Sequence, residues 1–175
     1  QRSFEVADKE LVAARKKEPD NLPLLVGIGE FYDRAGQPAK AETVYLEVID
    51  KGGTGPQGLT ARNRIAMAKL RAGKPDEARK LVEEVLAENP RDADALVMRA
   101  DLALAKGDTN SAVTDLRAVL RDQPNSVPIR RALARAHLKA GDTAVAEEAL
   151  RAAVQASPRD LLARLDLAQL LLQQG

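Results

Sequence analysis

The chain has 175 residues, 45% hydrophobic and 30% charged, with a formal charge of +1. That is enough apolar material for a substantial core, and there is no basic excess that would point to nucleic acid. The absence of cysteine excludes disulfides and zinc–thiolate sites, aromatic residues at 2% are too few for a base-stacking platform, and no apolar run approaches the roughly 20 residues that span a bilayer.

In chain order, residues 1–18 read as one helix with Phe4, Ala7, Leu11 and Ala14 along one face, stopped by Pro19-Asp20-Asn21. A second helix from Leu22 ends at Gly36, placed to take the left-handed conformation that closes a helix. Pro38 then opens a third, in the first turn, where a missing N–H costs nothing. This third helix carries Ala41, Val44, Tyr45, Val48 and Ile49 and runs through Asp50. The stretch Lys51 to Gly58 reads as a flexible, glycine-rich turn between units. It lacks the Lys-Ser/Thr pair and preceding strand of a phosphate-binding loop.

From there a unit repeats. Pro90, Pro124 and Pro158 are 34 residues apart, and so are Gly73, Gly107, Gly141 and Gly175. The frame gives full units at 22–58, 59–92, 93–126 and 127–160, with half units at 1–21 and 161–175. Asp108 and Asp142 follow turn glycines and are expected to cap their helices. Both ends fall mid-unit, so the chain reads as a piece of a longer array, and missing targeting signals carry no information.

Two positions recur throughout: Gly29, Ala66, Ala100, Ala134 and Ala168 in first helices, and Ala7, Ala41, Ala78, Ala112 and Ala146 in second helices. Small residues there let paired helices approach closely. Leu25, Ile28, Gly29, Tyr32, Ala41 and Tyr45 stand at the signature spacing of one family. The chain resembles the tetratricopeptide repeat (TPR) proteins from end to end. The resemblance implies an all-α, superhelical solenoid of antiparallel helix pairs, first helices lining a concave groove that binds a protein or peptide.

Departures are confined to single slots. Arg62, Arg130 and Arg164 occupy a large apolar slot and Arg99 another, so these arginines are expected to be partly buried packing residues. The tyrosine slot becomes Lys69, Ala103 and His137. Some family members clamp a chaperone's C-terminal carboxylate with lysines and asparagines. Val26, Glu30, Asn63 and Met67 stand at those places here, and the pattern does not match.

No convergent set of catalytic groups is visible, and the expectation is a non-enzyme without cofactor or metal. His137 is the single histidine, which rules out a two-histidine metal site, and it reads as a packing residue. Glu83-Glu84 and Glu147-Glu148 read as solvated outer-face charges, because neighbours on a helix diverge.

Charge is more informative. Arg131, Arg135 and Lys139 follow at four-residue spacing as one basic stripe, with no acid in their helix before Asp142. The resemblance turns that stripe to the groove, flanked by Val97 and Asp101 on one side and Leu165 and Gln169 on the other. Arg64 and Arg71, with Asn63 and Met67 beside them, form a second foothold. The expected partner is a protein with an acidic segment, and replacing Arg131 and Arg135 by glutamate is expected to leave stability nearly unchanged. The last helix is rich in leucine, with Leu161, Leu162, Leu165 and Leu172 among seven, so its free face is expected to self-associate or to be covered by a following helix.

The leading functional expectation is a scaffold within a larger bacterial assembly. The alternative is a polysaccharide-export component whose groove guides an anionic polymer. The alanine-, leucine- and arginine-rich texture resembles long bacterial TPR arrays of envelope and exopolysaccharide (PEP-CTERM type) systems, which favours periplasm or cell envelope over cytoplasm.

Overall fold

The computed structural model describes residues 2–174. Those residues form ten α-helices and no strand: α1 (Arg2–Lys17), α2 (Leu22–Arg34), α3 (Pro38–Gly52), α4 (Pro56–Arg71), α5 (Pro75–Glu88), α6 (Ala93–Lys106), α7 (Thr109–Asp122), α8 (Val127–Ala140), α9 (Thr143–Ala156) and α10 (Leu161–Gln174). They fall into two compact units, Gln1–Glu88 with α1–α5 and Asn89–Gly175 with α6–α10. Within each unit a helix packs on its sequence neighbours and, at α2–α4, α6–α8 and α8–α10, on the helix after next. This is an all-α architecture of antiparallel pairs.

The turns explain the pairing. Gly36, Gly73, Gly107 and Gly141 have φ of 69°, 71°, 84° and 86°, the left-handed region that a side chain disfavours. In each case the following amide reaches back five residues, as Gln37 N to Tyr32 O (2.8 Å) and Asp142 N to His137 O (2.9 Å). This double closure satisfies the last carbonyls of one helix and reverses the chain into the next. Asp108 caps α7 by accepting from the Ser111 amide at 3.0 Å. Asp142 differs from expectation: it makes no side-chain cap bond to α9, and its carboxylate stands 3.3 Å from His137 Nδ1 instead.

The stretch 51–58 is mostly helix rather than loop. α3 continues through Gly52, and α4 starts at Pro56, leaving Gly53, Thr54 and Gly55 between. Gly53 takes φ 54° to end α3. A Cβ on Gly58 would lie 2.1 Å from the Gly53 carbonyl oxygen, so this glycine permits close approach of two backbones.

Inside each pair the small residues are buried as the sequence requires. Gly29, Ala66, Ala100 and Ala134 are buried in first helices, and Ala41, Ala78, Ala112 and Ala146 in second helices. The residue four after each of those alanines is Tyr45, Val82, Leu116 or Leu150, every one of them at most 2% exposed. The largest, Tyr45, lies over the smallest: a Cβ on Gly29 would come within 2.3 Å of its ring. Ala168, the matching residue of α10, is exposed.

Candidate binding surface

Three residues of the basic stripe begin one helix face of α8, but they do not share one environment. Arg131 donates from Nε to Asp166 Oδ2 on α10 at 2.6 Å. Lys139 Nζ donates to the Leu104 carbonyl near the end of α6. Arg135 is exposed and makes no hydrogen bond or ion pair among the described residues. Near it, the atoms packed around the Asp101 carboxyl raise its pKa against the pull of Arg135. Asp166 therefore neutralises Arg131, contrary to the reading from α8 alone, while Lys139 keeps its charge beside an uncharged carbonyl. Both hydrogen-bond partners sit on the neighbouring first helices, 35 residues away in sequence.

Between α8 and α10 lies a cleft of about 250 Å³. Arg131, Arg135, Asp166, Gln169 and Gln173 give it a polar wall, with Leu138, Leu150 and Leu170 as its apolar part. It gathers Arg131, Arg135 and Gln169 of the residues predicted from sequence; Lys139 and Asp101 are not in its lining. Asp166, Leu150 and Gln173 were missed by sequence reasoning. Gln169 and Gln173 do repeat the four-residue spacing of Arg131 and Arg135, and that spacing is the signal that could have found Gln173.

The first unit has its own cleft, of about 360 Å³, between α2 and α4. Glu30, Asp33, Arg34, Arg64, Met67 and Arg71 line it. Arg64 binds Glu30 Oε1 through Nε at 3.1 Å and through a terminal nitrogen at 2.8 Å, so it is already engaged by an acid of the preceding first helix. Asp33 accepts from the Tyr45 hydroxyl at 2.9 Å. Asn63 is buried and lies outside that lining. Like the α8–α10 cleft, with its Arg131, Arg135 and Asp166, this one is mixed in charge.

The departing arginines divide in two. Arg62 and Arg130 are half-buried, and Arg62 donates to the Gly53 and Gly58 carbonyls at 2.6 and 3.3 Å, tying α4 to the turn before it. Arg99 and Arg164 are exposed, not partly buried. Arg99 reaches across the surface to Asp115, 2.8 Å to each oxygen, and Asp115 is itself buried. His137 is buried, as expected of a packing residue. Glu83, Glu84 and Glu148 are exposed, whereas Glu147 is half-buried and binds Arg151 at 2.6 Å. Among the described residues no group of acids and histidine could hold a metal, and no helix is long and apolar enough to cross a membrane.

The tetratricopeptide repeat family model matches residues 63–127 and 131–175, more than half of the chain. The chain belongs to the tetratricopeptide repeat family. Solved TPR structures agree with that membership. A TPR protein of Parabacteroides merdae is 25% identical and superposes with a TM-score of 0.74, covering 99% of this chain and 71% of its own. A thermophilic TPR protein of Thermus thermophilus gives 21% and 0.76, covering 97% and 91%. MamA of Desulfovibrio magneticus gives 18% and 0.72, covering 87% and 85%. No curated protein matches the chain. These likenesses carry the fold, a solenoid of helix pairs.

Proposed function

We propose that this chain is a non-catalytic scaffold that holds a protein segment against the first helices of its second unit, with the α8–α10 cleft receiving an acidic side chain next to an apolar one. The observation that carries this reading is Arg135. It is the member of the stripe left with its donors uncommitted, at the edge of a cleft whose wall also holds the Arg131–Asp166 pair, leucines and glutamines. A carboxylate entering there gains a charge-assisted hydrogen bond from a guanidinium. The Arg131–Asp166 pair beside it sets a limit on how much negative charge the cleft accepts, since Asp166 repels a second acid. In the mixed cleft of the first unit Arg64 is engaged by Glu30, which supports only Arg71 and Arg34 as contacts there.

The test is selection of short displayed random peptides on the chain. The expected result is enrichment of Asp or Glu adjacent to Leu, Ile, Val or Met. Arg135→Glu then weakens the selected peptides about tenfold, mainly by slowing association. Peptides without acidic preference, or an undiminished affinity in the variant, contradict the proposal. An acidic polysaccharide that competes as well as the peptides would favour a polymer-guiding groove over a protein scaffold.

A further inference from the structure

Each unit sets an acid and an arginine 34 residues apart on neighbouring first helices, and the two pairs differ. Glu30 of α2 and Arg64 of α4 are joined by hydrogen bonds of 3.1 and 2.8 Å. Asp101 of α6 and Arg135 of α8 lie close enough for Arg135 to pull on the Asp101 charge. Yet they form no hydrogen bond or ion pair with each other, and each is exposed. Both follow the small residue of their helix, Ala100 and Ala134, so they occupy one slot in successive repeats. Asp101 has one methylene less than Glu30, which shortens its reach toward the next helix.

The atoms packed around the Asp101 carboxyl raise its pKa, and the charge of Arg135 only partly opposes the rise. The carboxylate is therefore under-compensated and gains from a further cation. Neighbouring cations of the same two helices are engaged elsewhere. Arg99 is bound to Asp115, Arg131 to Asp166, and Lys139 to the Leu104 carbonyl.

We infer that Asp101 determines specificity on this surface, binding a Lys or Arg side chain of the same segment whose acid meets Arg135. The inference rests on the peptide-binding reading and deepens it, from one acidic residue to an ordered pair of charges. Packed helices lie about 8–10 Å apart, and an extended chain advances about 3.3 Å per residue. The cation and the acid of the segment are therefore about three residues apart. A segment laid the other way would set its acid against Asp101 and its cation against Arg135, and both would be repelled. The open pair thus also fixes the direction in which the segment runs.

Selection of displayed random peptides on the parent and on Asp101→Lys tests it. The parent should enrich Lys or Arg about three residues from the selected acid, always on the same side of it. Asp101→Lys should exchange that basic residue for Asp or Glu and keep the first acid. A synthetic peptide of the selected sequence gives the second measurement. Changing its basic residue to Gln should weaken binding to the parent about tenfold, and to Asp101→Asn less than about twofold. Asp101 is exposed, so circular dichroism of both variants should match the parent. Enrichment of the acid without a basic residue at that spacing overturns this inference and leaves the peptide-binding reading standing. A basic preference that persists in Asp101→Lys does the same. Absence of any acidic preference overturns both.

Discussion

Arg99 and Asp115 occupy slots that other repeats fill with Ile28 or Ile65 and with Val44 or Leu81. The pair replaces an apolar contact by a two-pronged charged one whose acid is buried and whose base is half in water. Removing the guanidinium alone strands the carboxylate, whereas removing both restores the apolar contact of the other repeats. Arg99→Leu should therefore cost about 1–3 kcal/mol, and adding Asp115→Leu should recover most of it, as read from urea midpoints. A second residue-scale outcome concerns Tyr32, whose hydroxyl donates to Asp8 at 2.6 Å. Burial, then the Asp8 carboxylate, raises its pKa to about 12. An unfolded tyrosine ionises near pH 10, so the stability from this group is complete below about pH 10 and is lost as pH climbs through about 12. Tyr45 is raised in the same direction, by burial and by Asp33. Tyr32→Phe should flatten part, not all, of the alkaline decline in the denaturation midpoint.

At the scale of elements, the size relation inside each pair is the clearest lever. Gly29 faces a tyrosine, while Ala66, Ala100 and Ala134 have Val82, Leu116 and Leu150 at the matching slot. Gly29→Ala would gain about 1 kcal/mol of helix propensity but forces the Tyr45 ring aside at a cost of about 1–3 kcal/mol. We expect net destabilisation that shrinks when Tyr45→Leu is introduced as well, measured as a coupling energy in a double-mutant cycle. This relation was legible in the sequence, because a 34-residue frame aligns the slots and steric size does the rest. The turn glycines were legible for the same reason, each closing a helix with positive φ. The 51–58 stretch was not. Four glycines and a proline read as a loop, yet Pro56 opens a helix and Gly58 serves a backbone approach that only the fold reveals. The cleft was half legible: Arg131 and Arg135 stand out, but Asp166 neutralises one of them from the next first helix. Nothing local in α8 signals that partner. It also changes the outcome for Arg131→Glu, which would set two acids together and cost about 1 kcal/mol, so Arg135 is the cleaner probe.

At the scale of the molecule, the described helices pack on near neighbours within two units, so stability is a sum of local interfaces rather than one concerted core. α10 buries Ala163 and Leu170 but leaves Leu161 and Leu172 67% and 83% exposed. In dilute solution amide hydrogens of α10 and α1 should exchange fastest, and those of α3, α4 and α8 slowest. The central claim, that the α8–α10 face is where a partner segment binds, is tested most directly by amide chemical-shift mapping during titration with an acidic, leucine-containing peptide from the selection. Saturable shifts are expected, clustered on residues around Arg131, Arg135, Gln169 and Gln173 and abolished in Arg135→Glu with the rest of the spectrum unchanged. Shifts centred on α7 and α9, or a pattern unaffected by the substitution, would contradict it.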